Sequence, residues 1–258
     1  MKKTLLEKTA DKLVNAFINN KIIAPIPTKF TKKLGEAQKL RKLCESKVKD
    51  PIIGFKAAGT GFPVMKKLKE KEPFYAAIFK KNFLKSGQKV KINKSTFGIE
   101  LEVCYLIKKS FFSSKGSITI KNVTKYISHM APCIEVIGYR QRKKGITSFG
   151  DLCSDFGANF KFLIGQKKKY KRINIGNLKT IISNKKIKQS VSGNTNTVYI
   201  NPLNSLRFVL NKLKKDKINL NKDFYVFTGS TVGVVPILGK GLYEGKVESL
   251  GSAKAIIH

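Results

Sequence analysis

Three segments of the chain place apolar residues at helical spacing. In residues 4–20 the apolar positions are Leu5, Leu6, Leu13, Val14, Phe17 and Ile18. This spacing predicts a helix with one buried face, and Pro25 and Pro27 end the pattern. Residues 31–49 show a similar pattern, as do residues 201–215, where Pro202 lies in the predicted first turn. The sequence therefore predicts two helices near the N-terminus and a third near residue 210.

Elsewhere the chain consists of short apolar runs between turn residues, a pattern typical of strands. The segment PIIGFKAAGTG (51–61) predicts a strand that leads into a glycine-rich loop. Further strands are predicted at 95–107, 117–120, 131–139, 160–165, 197–201, 223–238 and 241–257. We therefore predict an α+β fold, with a helical N-terminal subdomain (1–50) on a mainly β body (51–258). The two parts form either separate domains or one structural unit.

Lysine dominates the charge of the chain. It has 52 Lys and Arg against 16 Asp and Glu, and its formal net charge is +36. Such an excess is typical of proteins that bind nucleic acids or anionic membranes. Only five of the basic residues are arginines, although nucleic-acid sites favour Arg for bidentate contacts. Abundant Lys, Ile and Asn indicate an A/T-rich coding sequence instead. We expect no specific nucleic acid and no membrane as partner; a basic nucleic-acid-binding protein is the alternative from a different class.

The cysteines and the N-terminus bear on the cellular compartment. The four cysteines are widely spaced and form no C-x-x-C pair, which predicts neither a zinc site nor a disulfide framework. The N-terminus is charged and lacks the apolar core of a signal peptide. No apolar run approaches the ~18–20 residues of a membrane span. These features predict a cytoplasmic protein.

Two acidic residues lie in an otherwise apolar run, FGIELEVCYLI (97–107). On a strand, Glu100 and Glu102 point to the same face, ~7 Å apart along the chain. Glu135 lies in a similar run, APCIEVIGY (131–139). Buried like charges need a cation, and three carboxylates suit Mg²⁺ or Mn²⁺. The residues alone leave two interpretations open, namely a metal site or three separate Glu–Lys pairs at sheet edges.

Several motifs together resemble a known family. They occur in the order IGFKAAGTG, GIELEV, PCIEVIGYR, SDFGANFKFLIG, NPLNSL, FTGS and LGSAKAII. This order resembles the 2-keto-4-pentenoate hydratases, which with the 2-oxohept-3-ene-1,7-dioate hydratases and the 4-oxalocrotonate decarboxylases belong to the fumarylacetoacetate hydrolase superfamily. The resemblance covers nearly the whole chain. Glu-x-Glu followed about thirty residues later by Glu resembles the metal triad of that superfamily, which favours the metal interpretation.

The resemblance implies roles for the matched positions. Glu100, Glu102 and Glu135 would hold Mg²⁺ or Mn²⁺. Lys56 matches the family's active-site lysine, and a partly desolvated amine beside a metal is expected to have a lowered pKa, which suits proton transfer.

The remaining candidates concern the substrate. Arg140 would fix the loop after the third ligand or meet a substrate carboxylate. Asp155, Thr228 and Gly229 are the other candidate substrate-binding residues, the last two in a TGS turn at the pocket edge. Glu72 is a further candidate, for orienting a water molecule.

The expected activity is that of a metal-dependent hydratase in the catabolism of aromatic compounds. It would add water to a 2-hydroxy-2,4-dienoate to give a 4-hydroxy-2-oxo acid. The alternative is a 4-oxalocrotonate-type decarboxylase or another activity of the superfamily on a 2-oxo acid. The chain has Gly138-Tyr139-Arg140 where the family has Asp-Ser-Arg, and Asp155-Phe156-Gly157-Ala158 where it has Asp-Asn-Ala-Ser. These departures concern the substrate side of the expected pocket. The expected partners are a small 2-oxo or 2-hydroxydienoic acid and further copies of the chain in a homo-oligomer.

The arginine-poor composition generates a prediction about nucleic acids. We expect no sequence-selective DNA or RNA binding at physiological salt, because the lysines are spread along the chain. Any residual association should weaken steeply between ~50 and 200 mM salt. Titrating labelled duplexes of different sequence with the protein over that range would check this, and tight, selective binding at the upper end would contradict it.

Overall fold

A computed structural model describes residues 2–258 of the chain. The helices are α1 (Leu5–Ile18), α2 (Leu34–Lys47), α3 (Phe62–Lys67), α4 (Phe149–Ser154) and α5 (Pro202–Lys215). The strands are β1 (Ile52–Ala58), β2 (Phe74–Phe79), β3 (Phe83–Lys85), β4 (Lys89–Val90), β5 (Thr96–Ile107), β6 (Ile127–Gly138), β7 (Asn159–Ile164), β8 (Lys168–Lys169), β9 (Lys179–Asn184), β10 (Gln189–Asn194), β11 (Phe224–Ser230), β12 (Val235–Pro236), β13 (Gly241–Val247) and β14 (Gly251–Ile257). The predicted α+β class is confirmed.

Two sheets form the body. The larger has the order β2-β1-β11-β5-β6-β7-β3, with β12 paired to β5 and β8 paired to β6. It is mixed, because β1 runs parallel to β11 and β3 runs parallel to β7. The smaller sheet has the order β10-β9-β13-β14-β4. Strands β5 and β6 are both 12 residues long and lie side by side in the larger sheet, so the candidate acidic residues lie near its middle.

The N-terminal helices pack onto the body through a shared apolar core. Helix α1 begins at a capping box formed by Thr4 and Glu7, which satisfies backbone donors of its first turn. On the buried face of α1, Phe17 stacks on Phe156 with 4.1 Å between ring centroids. From α2, Glu45 accepts a hydrogen bond of 2.8 Å from the backbone N–H of Ala77 in β2. These contacts favour the single structural unit, and the 1–50/51–258 division stays a prediction.

Two of the predicted strands are wrong. In 117–120, the backbone N–H of Ile118 donates to the Oδ1 of Asn211 in α5 at 2.9 Å, and the Nδ2 of Asn211 donates to the carbonyl oxygen of Ile118 at 2.8 Å. In 197–201, Tyr199 and Ile200 have φ of 43° and 76°, a left-handed backbone that no strand contains. An Asn side chain and a local turn thus replace the sheet ladder in these two segments. Conversely, β9 and β10 were not predicted, because their residues KTIISN and QSVSGN show little apolar alternation.

In residues 2–258, no helix combines the length and the apolarity that a bilayer crossing demands. The four cysteines are free and buried.

Gly150 in α4 generates a stability prediction. A Cβ atom at this position would lie 1.9 Å from the carbonyl oxygen of Thr31, so Gly150→Ala must push α4 away from the backbone beside it. We expect Gly150→Ala to lower the free energy of unfolding by about 1–3 kcal/mol or more.

Gly35 in α2 provides the matched control. A Cβ there would meet no atom within 4 Å, and alanine is favoured over glycine within a helix by roughly 0.5–1 kcal/mol. Gly35→Ala should therefore raise the midpoint of urea unfolding while Gly150→Ala lowers it. Equal midpoints for the two variants would contradict the close packing of α4.

Candidate metal centre

Three glutamates meet on one face of the larger sheet. In the antiparallel pairing of β5 and β6, Glu100 lies directly opposite Glu135, and Glu102 lies opposite Cys133. Residues two apart on a strand share a face, as do directly opposed residues on paired strands. One carboxylate oxygen from each of the three glutamates lies within 4.8 Å of the others. The strand register therefore brings together the carboxylates that the sequence indicated.

Lys56 and Gly229 complete the surroundings of the carboxylates. The Lys56 Nζ donates hydrogen bonds to Glu135 Oε1 and, at 3.1 Å, to the carbonyl oxygen of Gly157. The backbone N–H of Gly229 donates to Glu102 Oε2 at 2.8 Å. The pairing of β11 with β5 shifts register between Phe227 and Ser230, and this irregularity contains Gly229.

Only glycine suits position 229. Its φ is 108°, and a Cβ there would lie 2.0 Å from the Thr60 Oγ1. Both the backbone conformation and the close approach of the β1–α3 loop thus exclude a side chain. The glycine of the TGS motif is therefore explained by local packing and by its N–H donor.

Burial strongly perturbs the titration of these groups. Glu102 and Glu135 are 0% exposed. Burial, followed by the nearby Glu135, raises the pKa of Glu100 to about 8, against the opposing effect of Lys56. Burial also raises the pKa of Glu102 well above its ordinary value and raises the pKa of Glu135. The carboxylates therefore hold protons to higher pH than ordinary glutamates when no cation other than Lys56 is near.

The pKa of Lys56 departs from the sequence-based expectation. Burial alone would lower it, but the attraction of Glu135, Glu100 and Glu102 outweighs burial and raises the pKa. The expected lowering assumed a metal ion beside the amine. In the metal-free protein the three carboxylates decide the sign, and Lys56 keeps its proton.

The carboxylates suit a divalent cation. The Glu102 Oε1 and the Glu135 Oε2 are buried and have no hydrogen-bond partner among the described residues, and an unpaired buried acceptor is costly. Three ionised carboxylates with one Lys56 ammonium carry two net negative charges, which a divalent ion would balance. Oxygen-only ligands are those that Mg²⁺ and Mn²⁺ prefer. Glu100, Glu102 and Glu135 therefore fit such an ion.

A cavity of about 630 Å³ opens onto this group. Lys56, Glu100, Gly157 and Gly229 line it beside the carboxylates. The rest of the wall is mainly apolar and includes Val64, Leu68, Phe97, Ile137, Ile146, Leu152, Val232 and Val234. This size and apolar character are typical of a site for a small organic ligand.

The other candidates lie outside the cavity wall. Glu72 has a 56% exposed side chain that pairs with Lys212 at 2.8 Å. The Thr228 hydroxyl donates to the carbonyl oxygen of Val103 at 2.8 Å, within the sheet. Arg140 and Asp155 form a buried ion pair with 2.8 Å between Nη1 and Oδ1. The structure thus groups Gly229 with Lys56 and the three glutamates, and it does not bring Glu72, Thr228, Arg140 or Asp155 into the cavity wall.

Sequence reasoning missed the carbonyl group of Gly157 and the wall contributed by α3. Every residue has a backbone carbonyl group, so the residue type does not show which carbonyl acts as an acceptor. The one signal in the sequence was Gly157, in the segment 155–158 that differs from the family's pattern. A glycine there is consistent with an unusual turn, and in the structure its φ is 66°. The weak periodicity of the six-residue helix α3 could not have distinguished it from a loop.

Comparison with known proteins relates the fold to solved structures. The 4-oxalocrotonate decarboxylase from Pseudomonas putida G7, complexed with magnesium and adipate, matches with a TM-score of 0.86 at 18% identity, over 100% of this chain and 99% of that chain. The fumarylpyruvate hydrolase from Pseudomonas aeruginosa, in complex with Mn²⁺ and pyruvate, matches with a TM-score of 0.58 at 11% identity, over 82% and 91%. The 5-carboxymethyl-2-hydroxymuconate delta-isomerase from Mycobacterium smegmatis matches with a TM-score of 0.57 at 13% identity, over 81% and 80%.

The sequence itself gave no match. No protein-family model matches the chain, and no curated protein matches it. The structural matches therefore show the fold, which this chain shares with the 4-oxalocrotonate decarboxylase over its whole length and with the hydrolase and the isomerase over about four fifths of it.

The raised pKa values generate a prediction about stability and pH. An unfolded glutamate loses its proton near pH 4.5, whereas folded Glu100 keeps it to about pH 8. The folded metal-free protein thus binds more protons than the unfolded chain between these values, and its free energy of unfolding should fall as pH rises through that window. Chemical unfolding in a chelator from pH 5 to 8 would measure this.

Excess Mg²⁺ should reverse the trend, because it binds the ionised carboxylates of the folded state. Glu102→Gln provides the control, since it removes one buried carboxyl group whose pKa is raised. In the chelator, the free energy of unfolding of this variant should therefore fall less steeply with pH. A metal-free protein whose stability rises steadily from pH 5 to 8 would contradict the raised pKa values.

Proposed function

We propose that the chain is a divalent-metal-dependent enzyme that acts on a 2-oxo acid. The observation that carries the proposal is the convergence of Glu100, Glu102 and Glu135 with Lys56 beside a largely apolar cavity. The carboxylates suit a divalent ion, the amine suits proton transfer, and the cavity has room for a small organic acid. Mg²⁺ or Mn²⁺ is the proposed cofactor, and the solved decarboxylase and hydrolase contain Mg²⁺ and Mn²⁺, respectively.

Among the reactions of this fold, we favour decarboxylation of a 2-oxo-enedioate of the 4-oxalocrotonate type. The solved 4-oxalocrotonate decarboxylase spans the entire chain, whereas the hydrolase and the isomerase match about four fifths of it. The adipate in that decarboxylase is a six-carbon dicarboxylate, as is 4-oxalocrotonate. These comparisons support the alternative reaction more than the hydratase that the motifs first indicated.

The position of the acidic residues also bears on the choice. Hydration needs a group that orients and activates water. Among the described residues, Glu100 is the one acidic side chain that lines the cavity, and the candidate Glu72 is exposed and paired with Lys212. Decarboxylation needs no such group. Hydration of a 2-hydroxydienoate stays the second candidate because of the hydratase-like motifs.

In the proposed reaction, the bond between C5 and the C6 carboxylate, which is the carboxylate remote from the 2-oxo group, breaks and CO₂ leaves. The electron pair of that bond passes through the conjugated system to the 2-oxo oxygen, and one proton delivered to that oxygen gives 2-hydroxypenta-2,4-dienoate. Glu100, Glu102 and Glu135 would hold a divalent ion, and its Lewis acidity would favour the charge that develops on that oxygen.

The chain's own residues would bind the substrate and supply the proton. The Lys56 Nζ lies beside Glu135 and lines the cavity, and its ammonium is the proposed proton donor. The Gly229 N–H holds the Glu102 carboxylate in place. The apolar walls exclude water from the reacting carbons, which limits side reactions.

An assay that follows two products would test the proposal. The protein is incubated with 2-oxohex-3-enedioate or with 2-hydroxypenta-2,4-dienoate, with Mg²⁺ or with a chelator, and both CO₂ release and ultraviolet absorbance are followed. Metal-dependent CO₂ release from the enedioate supports decarboxylation, and metal-dependent loss of the dienoate alone supports hydration. Inactivity towards both compounds, and towards other 2-oxo acids, would refute the proposed function.

Substitutions at Lys56 and Glu102 separate proton transfer from metal binding. Lys56→Ala should bind Mg²⁺ but lose about 10²–10⁴-fold in kcat, the usual contribution of a general acid. Lys56→Arg should not restore kcat, because a guanidinium stays protonated and cannot exchange the proton. Glu102→Gln should first lose metal affinity, so excess metal should partly restore its rate. Full activity of Lys56→Ala would remove Lys56 from the mechanism.

A further inference from the structure

The segment Asp155–Ala158 forms an unusual turn at the edge of the cavity. Phe156, Gly157 and Ala158 have φ of 53°, 66° and 61°, so three consecutive residues are left-handed. Residues other than glycine adopt this conformation at an energetic cost, and it persists only where the surroundings impose it. A strained turn beside a proposed catalytic amine therefore needs an explanation of what holds it and what it does.

A buried ion pair holds the start of the turn. Asp155 Oδ2 accepts the backbone N–H of Arg140 at 2.5 Å, and Asp155 Oδ1 accepts the Arg140 Nη1 at 2.8 Å. Arg140 also donates to the carbonyl oxygens of Gly138, at 3.2 Å, and of Asn159. Asp155 is 0% and Arg140 1% exposed. The guanidinium thus ties the residues that flank the turn to the end of β6.

Aromatic and backbone packing holds the middle of the turn. Phe156 is fully buried and stacks on Phe17, and the Arg140 guanidinium lies 4.9 Å from the centroid of the same Phe17 ring. At Gly157, an added Cβ would lie 2.8 Å from the Cβ of Ala76 in β2. The turn is therefore fixed against α1 on one side and against the sheet on the other.

The turn presents one backbone acceptor to the proposed active site. The Gly157 carbonyl oxygen accepts from Lys56 Nζ at 3.1 Å, and the other described acceptor of this amine is Glu135. A lysine side chain has four rotatable bonds, so two fixed acceptors on different elements restrict where its nitrogen lies. Without Gly157 the amine would be held by Glu135 alone, on the side of the carboxylates.

We propose that Arg140 and Asp155 are positioning residues for Lys56. Their ion pair imposes the left-handed turn, and the turn places the Gly157 carbonyl where it holds the Lys56 amine towards the cavity. This inference rests on the proposed role of Lys56 in proton transfer. It assigns Arg140 to the first of its two expected roles, that of fixing the loop after Glu135, and it gives Asp155 a positioning role in place of the expected substrate binding.

Asp155→Asn tests the inference because it keeps the side-chain shape and removes the charge that pairs with Arg140. With 2-oxohex-3-enedioate and Mg²⁺, we expect kcat to fall about 10- to 100-fold, since a misplacement of ~1 Å can cost that much. KM should change little, because Asp155 lies outside the cavity wall. Mg²⁺ affinity, measured by calorimetry, should also stay near that of the wild type, because no carboxylate of the triad is altered.

Glu45→Gln is the matched control. Glu45 also accepts from a buried arginine, Arg41, at 2.6 and 2.8 Å, and from one backbone N–H, that of Ala77, at 2.8 Å. It lines no part of the cavity. Glu45→Gln should lower the thermal midpoint as Asp155→Asn does but leave kcat unchanged. Equal losses of kcat in the two variants would mean that Asp155 acts only through stability, which overturns the inference.

A second variant covers the case in which Asp155→Asn does not fold. Ala158→Gly relieves a left-handed alanine, so it should fold at least as well as the wild type. We expect its kcat to fall several-fold because the turn becomes looser, while its thermal midpoint does not fall. An unchanged kcat in this variant would count against the turn as the device that positions Lys56.

Crystal structures of the variants give a readout that needs no substrate. In Asp155→Asn or Ala158→Gly, the Lys56 Nζ should move away from the Gly157 carbonyl oxygen, whereas in Glu45→Gln the wild-type contact of 3.1 Å should remain. A retained contact in the first two variants would refute the inference even if the wild type is active. Inactivity of the wild type towards every 2-oxo acid would refute the proposed function, and the structures would still decide on the turn.

Discussion

Repulsion among three carboxylates inside a sheet is the constraint on which the site depends. The register of β5 and β6 forces Glu100, Glu102 and Glu135 together, and burial withholds the water that would screen them. The surrounding elements supply the compensation. β1 contributes the Lys56 ammonium and β11 contributes the Gly229 N–H, and together these two groups leave a deficit of positive charge that a divalent ion matches.

Strand periodicity explains why the core of the site could be predicted. Two glutamates two apart on a strand share a face, the apolar run around Glu135 indicated the third, and the resemblance to the superfamily favoured the metal interpretation. The α+β class and the helices α1, α2 and α5 followed from apolar spacing alone. Such features are local, so they are visible in one short window of sequence.

The features that could not be predicted depend on distant partners. The backbone of Ile118 bonds to the Asn211 side chain in place of a neighbouring strand. Strand β9, whose residues show little apolar pattern, pairs with β13, far along the chain. Arg140 matched a family position, but only the fold shows that its guanidinium is enclosed by Asp155 and the carbonyl oxygen of Asn159. The residue type indicates that a side chain is charged, but only the tertiary structure shows which groups it contacts.

Two of the few arginines occupy buried positions that a lysine could not fill in the same way. The chain uses lysine for nearly all of its positive charge, yet Arg41 and Arg140 are both 1% exposed, and each lies over an aromatic ring and pairs with a carboxylate. A planar guanidinium can donate in several directions and stack at once, which an ammonium cannot do. Arginine therefore occurs in this lysine-rich chain where a buried cation must donate several hydrogen bonds and stack on a ring.

The parallel pairing of β1 with β11 has a consequence for the order of assembly during synthesis. Lys56 lies opposite Phe227 in that pair, and β11 is the strand that separates β1 from β5 in the sheet. A nascent chain that has emerged only to β7 can pair β5 with β6 and gather the acidic residues, but it lacks the strand that docks the lysine beside them. Since contacts between distant segments form late, the carboxylates pass through a stage of synthesis without their internal counter-ion. Over that interval, protons, a captured ion or the surrounding water can neutralise or screen them.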